Sequence, residues 1–195
     1  MRRLPALFAA VAISALVLAG CSAKTAGNAS GTGGSTAAPT SGSTTPSTST
    51  KPPVSRPKKI DFKGVDPCTL LTDAQKQTFG LTTTPQSLKS SSHKDATLCS
   101  ISSGDFTYGM SVVATANEGI ERYATDSGAT PLQIAGFPAL TSRLKGLNDT
   151  CFLGVDVADG QLLDLQVDGS KIPQDELCKR AVTIGEAMIQ TVTSR

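Results

Sequence analysis

The sequence predicts an α+β fold: an antiparallel sheet with helices packed on one face, and two disulfides. Three observations predict it. The apolar residues switch between helical and alternating spacing along residues 61–195, a hairpin signal lies at Asp159-Gly160, and the chain ends in an amphipathic helical pattern. The connections between the predicted strands are short enough for hairpins, which favours antiparallel pairing.

Residues 1–20 have the pattern of a type II signal peptide. Met1-Arg2-Arg3 supplies the positive start, an apolar stretch follows, and Leu18-Ala19-Gly20-Cys21 closely resembles a bacterial lipobox. We expect cleavage before Cys21 and diacylglycerol on its thiol, which would anchor the chain to the cell membrane on the extracytoplasmic face. An uncleaved membrane helix is an alternative, although the apolar stretch is short of the roughly 20 residues that span a bilayer. An ordinary secretory signal with an accidental cysteine is the other.

Residues 21–60, beginning with lipidated Cys21, are predicted to be a disordered tether. About 31 of the 39 residues after Cys21 are Ser, Thr, Gly, Pro or Ala, and such a composition buries too little apolar surface to fold. A basic cluster near its end consists of Lys51, Arg56, Lys58 and Lys59. A solubilising spacer is favoured for this segment over contact with anionic lipid headgroups.

The charge of the chain is divided unevenly, and this bears on its partners. Residues 1–60 carry seven basic and no acidic side chains, whereas residues 61–195 carry eleven basic and sixteen acidic ones. The predicted domain is therefore mildly acidic and would repel a phosphate backbone, so we expect no nucleic-acid partner.

A single domain is predicted over residues 61–195, and it opens with two helical turns. The run Asp66-Pro67-Cys68-Thr69-Leu70-Leu71 places Pro at the first helical position. Thr72 and Gln75 fit a capping box for a short helix that ends near Phe79, with Gly80 beyond it.

Alternating apolar residues predict the strands that follow. Residues 87–95 are polar and are predicted to form a loop, whereas residues 97–103 and 106–115 are predicted strands. One face of the second strand would carry Tyr108, Met110, Val112 and Ala114. Residues 117–125 are predicted to form a short helix, and residues 134–139 a strand end and a turn.

The hairpin around Asp159-Gly160 is the clearest local signal. A two-residue loop would pair Val155 with Asp164 and place a charge on the core face. The three-residue loop Ala158-Asp159-Gly160 avoids this conflict and gives Gly160 the left-handed position. That loop pairs Val155 with Leu163, and Leu153 with Leu165.

The last predicted element is an amphipathic helix from Pro173 to about Val192. Acidic Asp175 and Glu176 suit its positive N-terminal end. Its apolar stripe consists of Leu177, Ala181, Ile184, Gly185, Met188 and Val192.

Four cysteines remain once Cys21 is assigned to lipid, and an even number outside the membrane predicts disulfides. Three connectivities are possible. We favour Cys68–Cys99 with Cys151–Cys178, because each pair joins a helix start to a neighbouring strand. Zinc and a redox-active pair are disfavoured because the chain has no CxxC motif, so we expect no metal and no cofactor.

Catalytic groups are sparse in the sequence. A Ser–His–Asp triad would need His93, a serine and Asp95, but there is no Gly-x-Ser-x-Gly motif and the polar run 90–95 predicts a solvent-exposed histidine. The hairpin offers carboxylates of the kind that hydrolysis uses in pairs, but their outward-facing positions explain them without a function. These are Asp156, Asp159, Asp164 and Asp168. We therefore expect no catalytic residue and no enzyme.

Several features of the chain recur together in one family. They are the lipobox with its tether, the Asp66-Pro67-Cys68-Thr69-Leu70-Leu71 opening, the Gly136-Phe137-Pro138-Ala139 turn, and cysteines on two strands and a terminal helix. In these the chain resembles the actinobacterial lipoprotein family catalogued as domain of unknown function 3558. Members often carry an aromatic residue, typically Trp, soon after the second cysteine, where this chain has Ser100-Ile101. The resemblance implies a surface lipoprotein with paired cysteines and no established activity.

Together these observations predict a non-enzymatic lipoprotein of the cell envelope. It would attach to the membrane through diacylglycerol on Cys21 and bind a ligand or protein partner through a sheet face or an adjacent cleft. The alternative is a structural or accessory subunit of an envelope complex, with an enzyme as the third interpretation.

Overall fold

A single antiparallel sheet is the framework of the part of the chain that the computed structural model describes, residues 54–123 and 128–195. Its seven strands are β1 (Gln86–Lys89), β2 (Thr97–Ser102), β3 (Tyr108–Thr115), β4 (Thr130–Ile134), β5 (Phe137–Ser142), β6 (Thr150–Ala158) and β7 (Gln161–Gly169). They lie in the order β1-β2-β3-β7-β6-β5-β4. The predicted α+β class and antiparallel pairing are confirmed.

One long helix covers one face of this sheet. Helix α2 (Gln174–Thr193) packs mainly on β6 and β7, which present an unbroken apolar surface to it. The strand residues of that surface are fully buried and include Leu153, Val155, Leu163 and Leu165. Five of the six residues of the predicted stripe are buried, and Val192 is partly buried against the same core. The amphipathic pattern therefore predicted both the helix and the face it buries.

Two disulfides attach helical segments to this same side of the sheet. Cys68 in the 3-10 turn Pro67–Thr69 is bonded to Cys99 of β2, and Cys151 of β6 is bonded to Cys178 in the first turns of α2. The pairs are 31 and 27 residues apart in sequence. Both favoured disulfides are confirmed.

The short helix α1 (Asp73–Thr78) has the predicted caps. The Thr72 side chain accepts a hydrogen bond from the Gln75 backbone, and the Gln75 side chain accepts one from the Thr72 backbone. Gly80, with φ +72°, follows the C-cap Phe79, in the left-handed conformation that commonly ends a helix. Thr191 of α2 also donates to the Gln75 side chain at 3.1 Å, so the capping residue joins the two helices.

The β6–β7 hairpin has the predicted register and a different turn. Val155 pairs with Leu163 and Leu153 with Leu165, as predicted. Ala158 pairs with Gln161, however, so the turn is the two-residue Asp159-Gly160, and the extra residue lies in an irregularity between Asp156 and Ala158. The three-residue loop was wrong because a bulge within β6 corrects the register equally well.

Other departures from the sequence-based prediction are local. The predicted polar loop 87–95 contains edge strand β1, which is exposed at all four positions and so has no apolar alternation to reveal it. Within the described part of the predicted short helix 117–125, the chain forms a 3-10 turn, Ile120–Tyr123. The predicted turn after Ile134 is confined to Ala135-Gly136, both with positive φ, and Phe137 already begins β5.

The last residues before the predicted domain contact the sheet. Arg56 forms ion pairs with Asp156 (2.8 Å) and Asp159 (2.9 Å), and Ile60 is buried. Lys58 Nζ donates to the Thr193 carbonyl at 2.7 Å. The predicted signal peptide 1–20, the lipidation site Cys21 and the tether as far as residue 53 lie outside the described residues.

Candidate functional site

The sheet face opposite α2 carries a cleft of about 280 Å³. Strand alternation supplies its floor, because the residues between the core positions of the central strands point away from α2. Two segments enclose it: the β1–β2 loop and the 3-10 turn Ile120–Tyr123. Its lining comprises Ser90, Ser92, His93, Leu98, Ser111, Val113, Arg122, Tyr123, Leu144, Phe152, Asp164 and Gln166.

Charged side chains grouped around His93 form one wall of the cleft, which we call the charged wall. His93 itself is only 3% exposed. Its Nε2 lies 2.8 Å from Asp164 Oδ2, and its Nδ1 lies 2.9 Å from Glu118 Oε2. Ionised carboxylates only accept hydrogen bonds, so both contacts are hydrogen bonds when both ring nitrogens carry a proton, which is the imidazolium form. Arg122 Nη1 also lies 3.4 Å from Nδ1. The hydrogen bond to Asp164 raises the pKa of His93 above its usual value against the opposing effect of burial.

Arg122 and Tyr123 complete the charged wall from the 3-10 turn. Arg122 Nη1 donates to Glu118 Oε2 at 2.7 Å, and the Tyr123 hydroxyl donates to Asp164 Oδ1 at 2.8 Å. Two cations, His93 and Arg122, thus meet two anions, Glu118 and Asp164. The cluster is electrically balanced, and it ties the β1–β2 loop and the segment after β3 to strand β7.

Gly154 makes room for this arrangement. It pairs with Asp164 across β6 and β7, and the Tyr123 ring lies directly over it. A Cβ at this position would stand 2.6 Å from Tyr123 Cε2, closer than real Cβ atoms come to a neighbour. The glycine therefore lets the tyrosine reach down to Asp164.

The prediction that His93 is solvent-exposed was wrong. Its neighbours Ser91, Ser92 and Lys94 are exposed, as their composition suggests, but His93 itself points inward onto β7. Asp95, which a Ser–His–Asp triad would have needed, is exposed and has no bond to His93. The actual partners lie far along the chain, and the only signal for them was one charged residue, Asp164, within a run of apolar strand positions.

The four hairpin aspartates do not converge on one site. Asp164 belongs to the cleft, while Asp156 and Asp159 bind Arg56. Asp168 is partly buried, and burial together with the Asp149 charge raises its pKa. Asp156, Asp164 and Asp168 face away from α2, yet Asp156 is only 3% and Asp164 only 9% exposed. Arg56 covers the first and the His93 loop covers the second.

Within residues 54–123 and 128–195, no group of three or more His, Cys, Asp or Glu side chains is placed to hold a metal ion. No helix within the same ranges is long and apolar enough to cross a membrane.

Fold and site define a disulfide-bonded α+β domain with a buried ion cluster beside a cleft. The family model described as "Protein of unknown function (DUF3558)" matches residues 16–191. Because the match spans most of the chain, the protein belongs to this family, which confirms the resemblance to domain of unknown function 3558. No curated protein and no solved structure is significantly similar to the chain.

Proposed function

We propose that the protein is a membrane-anchored surface lipoprotein whose domain binds a small ligand in the cleft beside His93 without catalysing a reaction on it. The observation that supports ligand binding is the cleft itself. One wall is a fixed, balanced ion cluster, and the rest of the lining combines apolar with hydrogen-bonding side chains, as ligand pockets commonly do.

The bonding of His93 supports binding over catalysis. In a Ser–His–Asp triad, one imidazole nitrogen faces the carboxylate and the other accepts the proton of the nucleophile. Here both nitrogens face carboxylates. The nearby Ser90 hydroxyl accepts a hydrogen bond from the His93 backbone nitrogen at 3.1 Å, so it shapes the loop.

The exposed large apolar residues of the described chain come from three segments that are separate in sequence. A docking protein would need a contiguous apolar patch. The exposed large apolar side chains of the described segments lie on β1, the β2–β3 turn and the β5–β6 loop. They are Leu88, Phe106, Leu144 and Leu147.

The membrane anchor is tested by replacing Cys21 with Ser in the full chain. We expect the variant to leave the membrane fraction for the soluble fraction, because no thiol remains to carry diacylglycerol. Ser22→Ala is the matched control and should stay membrane-bound. Continued retention of an unprocessed Cys21→Ser chain would show that the apolar N-terminus is a membrane helix.

Ligand binding is tested by blocking the cleft. The full chain is purified from its native membrane, and small molecules released by organic extraction are identified by mass spectrometry. Gln166→Trp fills the cleft floor, whereas Gln133→Trp places the same ring at an exposed position on β4. We expect a small molecule enriched with wild type and Gln133→Trp and lost from Gln166→Trp. Equal recovery from both variants, or none from wild type, would contradict the proposal.

A further inference from the structure

Two neutral polar side chains on the cleft floor are left without partners. Ser111 of β3 and Gln166 of β7 are directly opposite each other, and both line the cleft. Neither side chain forms a hydrogen bond within the part of the chain that the structure describes, and both are only partly buried. Together they offer a hydroxyl and a primary amide, which can each donate and accept.

The charged groups of the cleft already use most of their hydrogen-bonding atoms on one another. His93 uses both ring nitrogens on Glu118 and Asp164, and Asp164 also accepts from Tyr123. Arg122 is bound to Glu118 at the rim, where its side chain is 38% exposed. A ligand ion entering the cleft would lose hydration and meet an already balanced cluster, which is unfavourable.

The remaining lining is apolar and lies beside the unpartnered pair. Leu98 and Val113 are paired across β2 and β3, and Phe152 is paired with Gln166 across β6 and β7. Phe152 lies on the far side of Gln166 from Leu98 and Val113. An apolar group placed against Leu98 and Val113 would have its polar end over Ser111 and Gln166.

We propose that the ligand is a small neutral amphiphile with an amide group and a short aliphatic portion. The amide pairs with the Gln166 amide and the Ser111 hydroxyl, and the aliphatic portion packs on Leu98 and Val113. Side chains that face each other across antiparallel strands have Cβ atoms about 4.5–5.5 Å apart, so one amide can reach both. The inference rests on the proposed ligand-binding function and specifies its chemistry.

Three probes of equal chain length test the proposal: pentanamide, pentanoate and pentylamine. They are titrated at about pH 7 into the methyl-labelled full chain in detergent micelles, where the two ionisable probes are charged. We expect pentanamide to shift the methyl resonances of Leu98 and Val113 but not those of Leu132 and Val182, which line a groove beside α2. Its Kd should be about tenfold lower than that of either charged probe, as for one lost hydrogen bond.

Two variants test the assigned contacts. Gln166→Met keeps the length of the side chain without the amide, and Ser111→Ala removes the hydroxyl. Each should weaken pentanamide binding about threefold to tenfold. Ser100→Ala is the matched control, since Ser100 pairs with Ser111 across β2 and β3 but does not line the cleft. Unchanged Leu132 and Val182 resonances verify that each variant is folded.

The outcomes separate the two levels of the proposal. If pentanoate or pentylamine binds in the cleft as tightly as pentanamide, the neutral ligand class is wrong and the binding function stands. If pentanamide binding is undiminished in both variants, the assigned contacts are wrong. If no probe shifts Leu98 or Val113, both the ligand class and the proposed cleft function are overturned.

Discussion

The two faces of the sheet are buried in different ways. On the α2 side, β6 and β7 present only aliphatic residues and cysteine, such as Leu165 with no exposure. On the cleft side, the adjacent Asp164 is 9% exposed and is held by His93 and Tyr123. Leu165 and Asp164 are thus adjacent in one strand and similarly buried. Leu165 is buried by apolar packing, whereas Asp164 is buried by a network of specific polar partners.

This difference determines how each face should respond to change. Apolar burial scales with the area removed from water and tolerates a range of shapes. A buried polar network depends on every member, because an unpaired charge keeps its desolvation penalty. The α2 side should therefore dominate stability, and the cleft side should be sensitive to single charges and to pH.

The largest expected effect is on the α2 side, where Cys151–Cys178 joins β6 to the helix. Replacing both cysteines with Ala should lower the free energy of unfolding by about 3–4 kcal/mol, the entropy that the cross-link removes from an unfolded loop of this length. Urea unfolding measures it. The Cys68–Cys99 pair, with a similar separation of 31 residues, should show a similar loss. A loss below about 1 kcal/mol for both pairs would contradict this account of the helix side.

A smaller effect is expected on the cleft side from Asp164→Asn. The variant leaves His93 and Tyr123 facing an amide in place of a carboxylate, and should lower the free energy of unfolding by about 1–3 kcal/mol. Asp159→Asn is the matched control, because Asp159 is exposed in the turn and its ion pair should contribute less than about 1 kcal/mol. Equal losses in the two variants would mean that the buried network adds nothing beyond a surface pair.

His93 should make the cleft side pH-dependent. Because its pKa is raised in the folded state, its stabilising contribution is complete below the ordinary histidine pKa and is lost as pH rises through the raised value. The difference in unfolding free energy between wild type and His93→Gln should therefore shrink from about pH 5.5 to about pH 9. Urea unfolding at several pH values measures it. A difference that grows with pH would contradict the imidazolium assignment.

The sequence contains one histidine, so its pKa can be read from a single imidazole resonance in proton NMR. Asp164→Asn and Glu118→Gln should each lower that pKa, and the first should lower it more, since the Asp164 hydrogen bond is the largest cause of the shift. A His93 pKa at or below the usual value in wild type would show that the two carboxylates do not hold the ring as described.

Sequence reasoning succeeded on one face and failed on the other for a physical reason. The α2 stripe and the Val155–Leu163 register follow from periodicity, and the presence of two disulfides follows from the cysteine number. Their pairing was favoured among three connectivities because each pair joins a helix start to a neighbouring strand. The His93 cluster joins three segments distant in sequence, and no period relates them. Exposed serines around His93 concealed that one residue of the loop points inward.

The smallest expected effect distinguishes two similar arginines, one on each side of the sheet. The Arg122 and Arg180 side chains are 38% and 40% exposed, and each pairs with the glutamate four residues earlier. Replacing either with Gln should lower the free energy of unfolding by less than about 1 kcal/mol, as for other exposed pairs. Only Arg122→Gln should raise the pKa of His93, because the positive charge of Arg122 disfavours the imidazolium. This shift is opposite in sign to that of Glu118→Gln, so a general loosening of the cleft cannot produce both. If Arg180→Gln shifts the imidazole resonance equally, the two faces are electrostatically coupled. That result would contradict the view that single charges act only on the cleft side.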